Sequence, residues 1–256
     1  MPRLASLDKR IPIAVLALLL LVAAAFVAAR ATAPDTKQAD GTIAFVGVNV
    51  VPMDRERVLA NQTVVVRDGR IVSMAPAAAA RVPAEARRID GAGRWLMPGL
   101  AEMHGHVPGP DNPAYRDVML FFYVANGVTT VRNMAGNASH LALRDRIAKG
   151  ELLGPTLHTA SPWLSAEAAG TPDKARQAVR DYRAVGYDLI KIGSVPRDAY
   201  LAMAEAANAI AMPFGGHIPD GVRLTDALGS RQISIDHLDR YVEFLVPEGT
   251  DTAGRP

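Results

Sequence analysis

The stretch Gly93-Arg94-Trp95-Leu96-Met97-Pro98-Gly99-Leu100-Ala101-Glu102-Met103-His104-Gly105-His106 decides how the rest of the chain is read. From Trp95 to His106 it reads as a strand that ends on two histidines separated by one glycine. Residues i and i+2 of a strand point to the same side, so both imidazoles can reach one ion. Gly105 between them lets the backbone turn or lets another group approach closely. A His-x-His pair is a weak signal by itself, and its meaning depends on what surrounds it.

Downstream, strand and helix patterns alternate. Strands are expected over Trp95 to His106, Val128 to Met134, Thr156 to Ala160, Asp188 to Ile192, Phe214 to Ile218 and Ile233 to Leu238. Helices are expected between them, over Ala114 to Asn126, Ser139 to Lys149, Pro172 to Ala184, Arg197 to Ala211 and Val222 to Leu228. Such alternation predicts a parallel sheet with crossover helices. The strand-end residues Arg132, Ser161, Lys191, His217 and His237 recur at the spacing of βα units that fill a (β/α)8 barrel of roughly 250 residues. No Gly-x-Gly-x-x-Gly follows the first strand and no Walker-type Gly-Lys-Ser/Thr occurs, so dinucleotide and P-loop folds lack their marker.

Upstream the period is that of strands. Ile43 to Val51, Thr63 to Arg67 and Arg70 to Met74 are β-branched runs, and Asp68-Gly69 between the last two is a hairpin signal. Residues 41–94 therefore form a small β unit closed by Asp90-Gly91-Ala92-Gly93. Before it, Arg3, Lys9 and Arg10 precede an uncharged apolar run from Ile11 to Ala29, the pattern of an export signal. Ala29-Arg30-Ala31 fits a small-x-small cleavage site. The 19-residue run also approaches the roughly 20 residues that span a bilayer, so residues 1–31 are a signal peptide or a membrane anchor. Residues 32–40 are a short linker. The expected location is outside the cytoplasm, periplasmic or secreted, or anchored to the membrane.

Composition narrows the class. The 256 residues include no cysteine, 21 Gly and 18 Pro, and 49% are hydrophobic, which excludes collagen-like, disulfide-stapled and disordered chains. Any metal must be held by nitrogen and oxygen. The net charge of +2 comes from the leader, since beyond residue 31 there are 24 basic and 25 acidic residues, and a nucleic-acid partner has no electrostatic support.

Chemistry concentrates at the strand ends. Lys191 interrupts the apolar run Asp188-Leu189-Ile190-Lys191-Ile192, where an unpaired ammonium would be costly. Either it faces outward and snorkels to the rim, or it points inward with an amine able to react or bind metal. His217 ends Phe214-Gly215-Gly216-His217, and His237 ends Ile233-Ser234-Ile235-Asp236-His237. Of six histidines, four fall at the ends of expected strands, with His158 and His140 the others. Histidine is the commonest metal ligand, and barrel active sites collect at the carboxyl ends of strands.

These residues carry a resemblance. The stretch 93–106 is similar to the first-strand signature of the amidohydrolase superfamily, and Val64 to Val72 resembles the small β-sandwich that leads into its barrel. Gly127 to Arg132, Lys191-Ile192, Gly216-His217-Ile218 and Ile235-Asp236-His237-Leu238 resemble the imidazolonepropionase-like and prolidase-like branch, so the similarity covers about residues 41–245. The resemblance implies that His104 and His106 bind the more buried of two divalent ions, most simply zinc. Lys191, carboxylated, would bridge both ions, and His217 with His237 would hold the second. A carbamate turns a cation into an anionic oxygen ligand, which explains why a lysine stands where a carboxylate is wanted. The implied activity is hydrolysis of a C–N amide bond by metal-activated hydroxide, in a dipeptide, an N-acyl amino acid or a cyclic amide.

The family also uses an aspartate at the end of strand eight. Only residues 239–256 follow the expected sixth strand, and Asp251 lies in a Gly- and Thr-rich tail, so no catalytic aspartate is assigned. The expectation is an α/β fold with an incomplete (β/α)8 TIM-type barrel of about six βα units over residues 95–256, in a C-terminally truncated hydrolase. His140, Tyr241 and Arg132 are candidates for binding substrate, with helix-surface or ion-pair roles as the alternatives. The implied partners are a small amide or peptide substrate and either a C-terminal companion chain or further copies of this chain. A non-catalytic metal binder and a membrane-anchored interaction protein are the competing readings.

Overall fold

The structure is a computed structural model that describes residues 41–247 and Thr250. The leader and linker read in residues 1–40 lie outside the described residues. No helix among the described residues is long and apolar enough to cross a membrane. The chain divides into two compact units between Pro98 and Gly99.

The first unit is a sheet of five strands. β1 (Thr42–Val50) pairs antiparallel with β2 (Leu59–Arg67), which pairs antiparallel with β3 (Arg70–Pro76). β4 (Arg87–Asp90) runs parallel to the first half of β1, and β5 (Trp95–Leu96) runs parallel to its end. The turn between β2 and β3 works as its residues suggest. Asp68 and Gly69 have φ of 51° and 73°, the left-handed pair that a two-residue hairpin with the twist of its strands requires. Ala44, Val48, Val50, Val64 and Val65 supply the buried apolar positions.

The expected strand from Trp95 to His106 is two strands. Pro98 has no amide hydrogen to donate to a ladder. A Cβ on Gly99 would lie 2.0 Å from Thr129 Oγ1, so the backbone passes Thr129 too closely for any side chain there. Trp95–Leu96 joins the first sheet, whereas β6 (Leu100–Gly105) begins the second unit.

In the second unit β6 lies parallel to β7 (Val128–Asn133), and β7 lies parallel to β8 (Thr156–Thr159). Parallel bridges at Ala160 with Leu189 and Leu164 with Ile192 continue the order to β9 (Ile190–Ile192), which pairs parallel with β10 (Phe214–Gly216). Crossovers run through α1 (Pro113–Ala125), α2 (Ala138–Ala148), α3 (Ala166–Ala169), α4 (Pro172–Val185) and α5 (Arg197–Ala209). α6 (Leu224–Gly229) follows β10, and α7 (Tyr241–Leu245) follows a short turn. The start and stop of α4 are written in its sequence. Thr171 caps its first turn with Pro172 behind it, and Gly186 at φ 98° ends it. The core lies where α4 and α5 meet β9 and β10, around Leu164, Ile190, Ile192, Tyr200, Met203 and Phe214. The fold is mixed α/β, and among the described residues the parallel strands form no closed barrel.

The expected sixth strand, Ile233 to Leu238, is mostly absent. Ile233 N donates to Phe214 O at 3.0 Å and Gly216 N donates to Ser234 O at 3.2 Å, and Ile235 bridges Gly216. There the ladder stops. The chain turns through a 3-10 segment, Asp236–Leu238, with φ of 57° at His237 and 59° at Leu238. The alternating Ile233, Ile235 pattern reads as a strand, but the carboxylates that follow are drawn elsewhere. Asp236 pairs with buried Lys191, and Asp239 binds His217. The Gln232 side chain replaces part of the missing ladder, its Nε2 donating to Gly216 O at 3.1 Å and Ser234 O at 2.9 Å while its Oε1 accepts from Tyr200 at 2.9 Å.

Candidate metal centre

Strands β6, β9 and β10 of the second unit deliver their groups to the same end of the sheet. β6 delivers His104, whose N–H donates to Glu102 Oε1 at 2.8 Å, and His106 follows just beyond the strand. β9 delivers Lys191, whose backbone N–H donates to Ser161 Oγ at 3.0 Å. The Lys191 residue is only 2% exposed, which settles the two placements open in sequence in favour of the inward one. β10 delivers His217, and the turn after Ile235 delivers His237.

These five side chains line one cavity of about 390 Å³, together with Met134, Ala135, Gly136 and Trp163. The imidazoles form a chain: ring centroids are 5.1 Å apart for His104 and His106, 4.9 Å for His104 and His237, and 5.1 Å for His237 and His217. Burial pushes the His104 imidazole below its ordinary pKa. Asp236 opposes this, and Lys191, His106 and His237 add to the lowering, so the neutral, ligand-competent form is favoured.

Two carboxylates that the sequence reading passed over complete the cluster. Asp236, with its side chain 2% exposed, pairs with Lys191 and turns its other oxygen toward His104 Nδ1 at 3.5 Å. Donor atoms of His104, Asp236 and His237 all lie within 4.8 Å of one another. Asp239 Oδ2 lies 2.7 Å from His217 Nδ1 and also accepts from Ile218 N at 3.3 Å. With the proton on Nδ1 facing Asp239, the Nε2 lone pair of His217 is left free for a ligand, the arrangement that fixes ring and tautomer in metal sites. A signal for Asp236 was present in sequence: an aspartate beside an apolar run needs a partner to be buried.

The three candidates for substrate binding sit elsewhere. His140 is 1% exposed. Its Nδ1 accepts from Asn137 N at 3.2 Å and lies 2.8 Å from Asn133 Nδ2, while its Nε2 lies 3.2 Å from Pro108 O, so the ring ties the loop after β6 to the start of α2. Arg132 Nε donates to Met103 O at 2.6 Å. Tyr241 opens α7 and packs half-buried on the core. None of the three lines the cavity.

Trp163 forms the remaining wall, its ring centroid 4.9 Å from that of His217. It lies flat on Gly193, where a Cβ would come within 2.0 Å of Nε1. Gly193→Ala is therefore expected to swing the half-exposed indole outward and shift its emission to the red, which a Trp95→Phe background reads cleanly. The accompanying stability loss should stay within the about 1–3 kcal/mol of ordinary overpacking, because a partly exposed side chain can give way.

No protein-family model and no curated protein matches the sequence. Solved structures do match the fold. A Bifidobacterium longum protein described as a prolidase is 26% identical, with a TM-score of 0.62 over 75% of this chain and 52% of that one. A Xaa-Pro dipeptidase with bound methionine is 18% identical, with a TM-score of 0.61 over 74% of this chain and 60% of that one. Molinate hydrolase is 18% identical, with a TM-score of 0.64 over 75% of this chain and 56% of that one. The structural neighbours are hydrolytic enzymes of the amidohydrolase type, in line with the resemblance read from the sequence to the prolidase-like branch of that superfamily. The chain spans about half the length of the first of these structures.

Proposed function

We propose, from the likeness to the amidohydrolases, that this chain bears the metal site of a hydrolase cleaving a C–N amide bond in a small peptide-like substrate: a dipeptide, an N-acyl amino acid or a cyclic amide. One observation carries the reading. Four imidazoles and a lysine, brought from the ends of three parallel strands, β6, β9 and β10, and the turn that follows them, converge on one cavity, where barrel enzymes place their chemistry. The finer architecture belongs to the same proposal: the open parallel sheet is the first part of a (β/α)8 barrel, and residues 41–94 are a portion of the accompanying β-sandwich.

The donor set fits divalent ions of the zinc type. Imidazole and carboxylate donors suit zinc, and with no cysteine in the chain a nitrogen and oxygen shell is the one available. His104 and His106 would hold one ion and His217 with His237 a second, with Lys191 shared between them as its carbamate. When bound, such ions supply Lewis acidity toward a carbonyl and toward water. The remaining work falls to the chain itself. Burial favours the neutral form of His104. Asp239 holds the Nδ1 proton of His217 and fixes its ring. Trp163 walls the cavity against solvent on the side of His217 and offers a flat apolar surface to a substrate side chain.

Partners and location follow from this reading. Exposed Leu100 and Met103 on β6 and exposed Ile233 and Leu238 beyond β10 lie at the two open ends of the strand order, where a companion polypeptide or a further copy would cover them. Residues 1–31 would place the enzyme outside the cytoplasm or on the membrane surface. The test is hydrolysis of a dipeptide and N-acyl amino acid panel by the full chain with zinc and bicarbonate, alone and with a polypeptide supplying two further βα units. Turnover that chelation abolishes and His217→Ala lowers by at least about 10²-fold is expected. Metal binding with no turnover in either condition would favour the non-catalytic reading.

A further inference from the structure

We infer that, while Lys191 is uncarboxylated, Asp236 is itself a metal ligand, forming with His104 and His237 a one-ion site that precedes the two-ion arrangement, and that the Lys191 ammonium holds its carboxylate in place when no metal is bound. The inference rests on the metal-site reading above. Asp236 and His237 are sequence neighbours, and in an extended strand neighbours point to opposite faces. Here the left-handed φ of 57° at His237 breaks that alternation, and the donor atoms of Asp236, His237 and His104 lie within 4.8 Å of one another. Non-glycine residues in this region are uncommon and cluster at functional sites.

The carboxylate is half-satisfied. Its Oδ2 pairs with the Lys191 ammonium, whereas Oδ1 receives no hydrogen bond among the described residues and faces His104 Nδ1 at 3.5 Å. A cation between Asp236, His104 and His237 would engage the oxygen that the ammonium does not hold. Donors at about 2.1 Å from a tetrahedral ion lie roughly 3.4 Å apart. The three donors here lie within 4.8 Å of one another, so rotamer adjustments of about an ångström bring them onto one ion. Charge sets the terms of exchange. Lys191 and Asp236 neutralise each other beside the imidazoles, so a dication must take Asp236 from the ammonium, and removing the positive charge of an uncarboxylated Lys191 should favour the ion.

The test compares zinc binding in bicarbonate-free buffer, by titration against a competing chelator and by metal analysis, in the full wild-type chain, Lys191→Met and Lys191→Met/Asp236→Asn. The double variant keeps the pair's volume without either charge, so it should fold even if a single variant does not. Lys191→Met should bind zinc and be stabilised by it, and the double variant should bind at least about 100-fold more weakly. Equal affinities within a few-fold would overturn the inference while leaving the wider metal site standing. So would a Lys191→Met chain that stays unfolded with zinc while the double variant folds. No zinc binding by the wild type would overturn the metal-site reading and this inference together.

Discussion

In metal-free protein, Lys191→Met is expected to cost about 3–5 kcal/mol of stability, the range for removing one partner of a buried ion pair. Both side chains are 2% exposed, so the Asp236 charge left behind has neither water nor a counter-ion. Lys191→Met/Asp236→Asn is expected to recover most of that loss, because replacing both charges removes the desolvation cost together with the attraction. Chemical denaturation in the presence of a chelator measures all three proteins. A single variant within about 0.5 kcal/mol of wild type, the ordinary spread of surface substitutions, would mean that the pair does not form.

Gly136→Ala should be nearly as damaging for a steric reason. A Cβ at Gly136 would lie 1.6 Å from the carbonyl oxygen of Ala160 and 2.7 Å from its carbon. Neither backbone can yield easily. Ala160 N donates to Asn133 O at 2.9 Å, Ser161 N donates to Leu189 O at 2.8 Å, and Ala160 forms the bridge to Leu189 that carries the sheet from β8 to β9. The expected cost lies at or above the top of the about 1–3 kcal/mol typical of overpacking. Because Gly136 lines the cavity, metal affinity should fall with it. A variant with an unchanged denaturation midpoint would show that the loop after β7 is free to move.

The parts of this account legible in the sequence are those set by local rules. His104 and His106 are two residues apart on a strand end, so period alone puts them together. Asp68-Gly69 specifies its hairpin through two positive φ angles. Lys191 stands out because an amine within an apolar strand needs a reason to be there. What the sequence hides is set by partners distant in the chain. Asp236 sits 45 positions from Lys191, and Asp239 22 positions from His217, and those pairings turn an apparent strand into a left-handed turn. The break at Pro98 and Gly99 depends on Thr129, which no window around the first strand contains. His140 looks like a free histidine after a strand, yet the backbone of Asn137 and Pro108 and the amide of Asn133 occupy both ring nitrogens.

The central claim is that the histidine cluster is a metal centre, and it is tested most directly by metal analysis of the purified chain and of His104→Ala and His217→Ala after equilibration with zinc. The account predicts bound zinc in the wild type, its affinity lowered by more than the about 10- to 100-fold that outer partners contribute when either ligand is removed, with the fold retained by circular dichroism. A wild-type chain that stays folded and binds no zinc, or variants that bind it as tightly as the wild type, would contradict it.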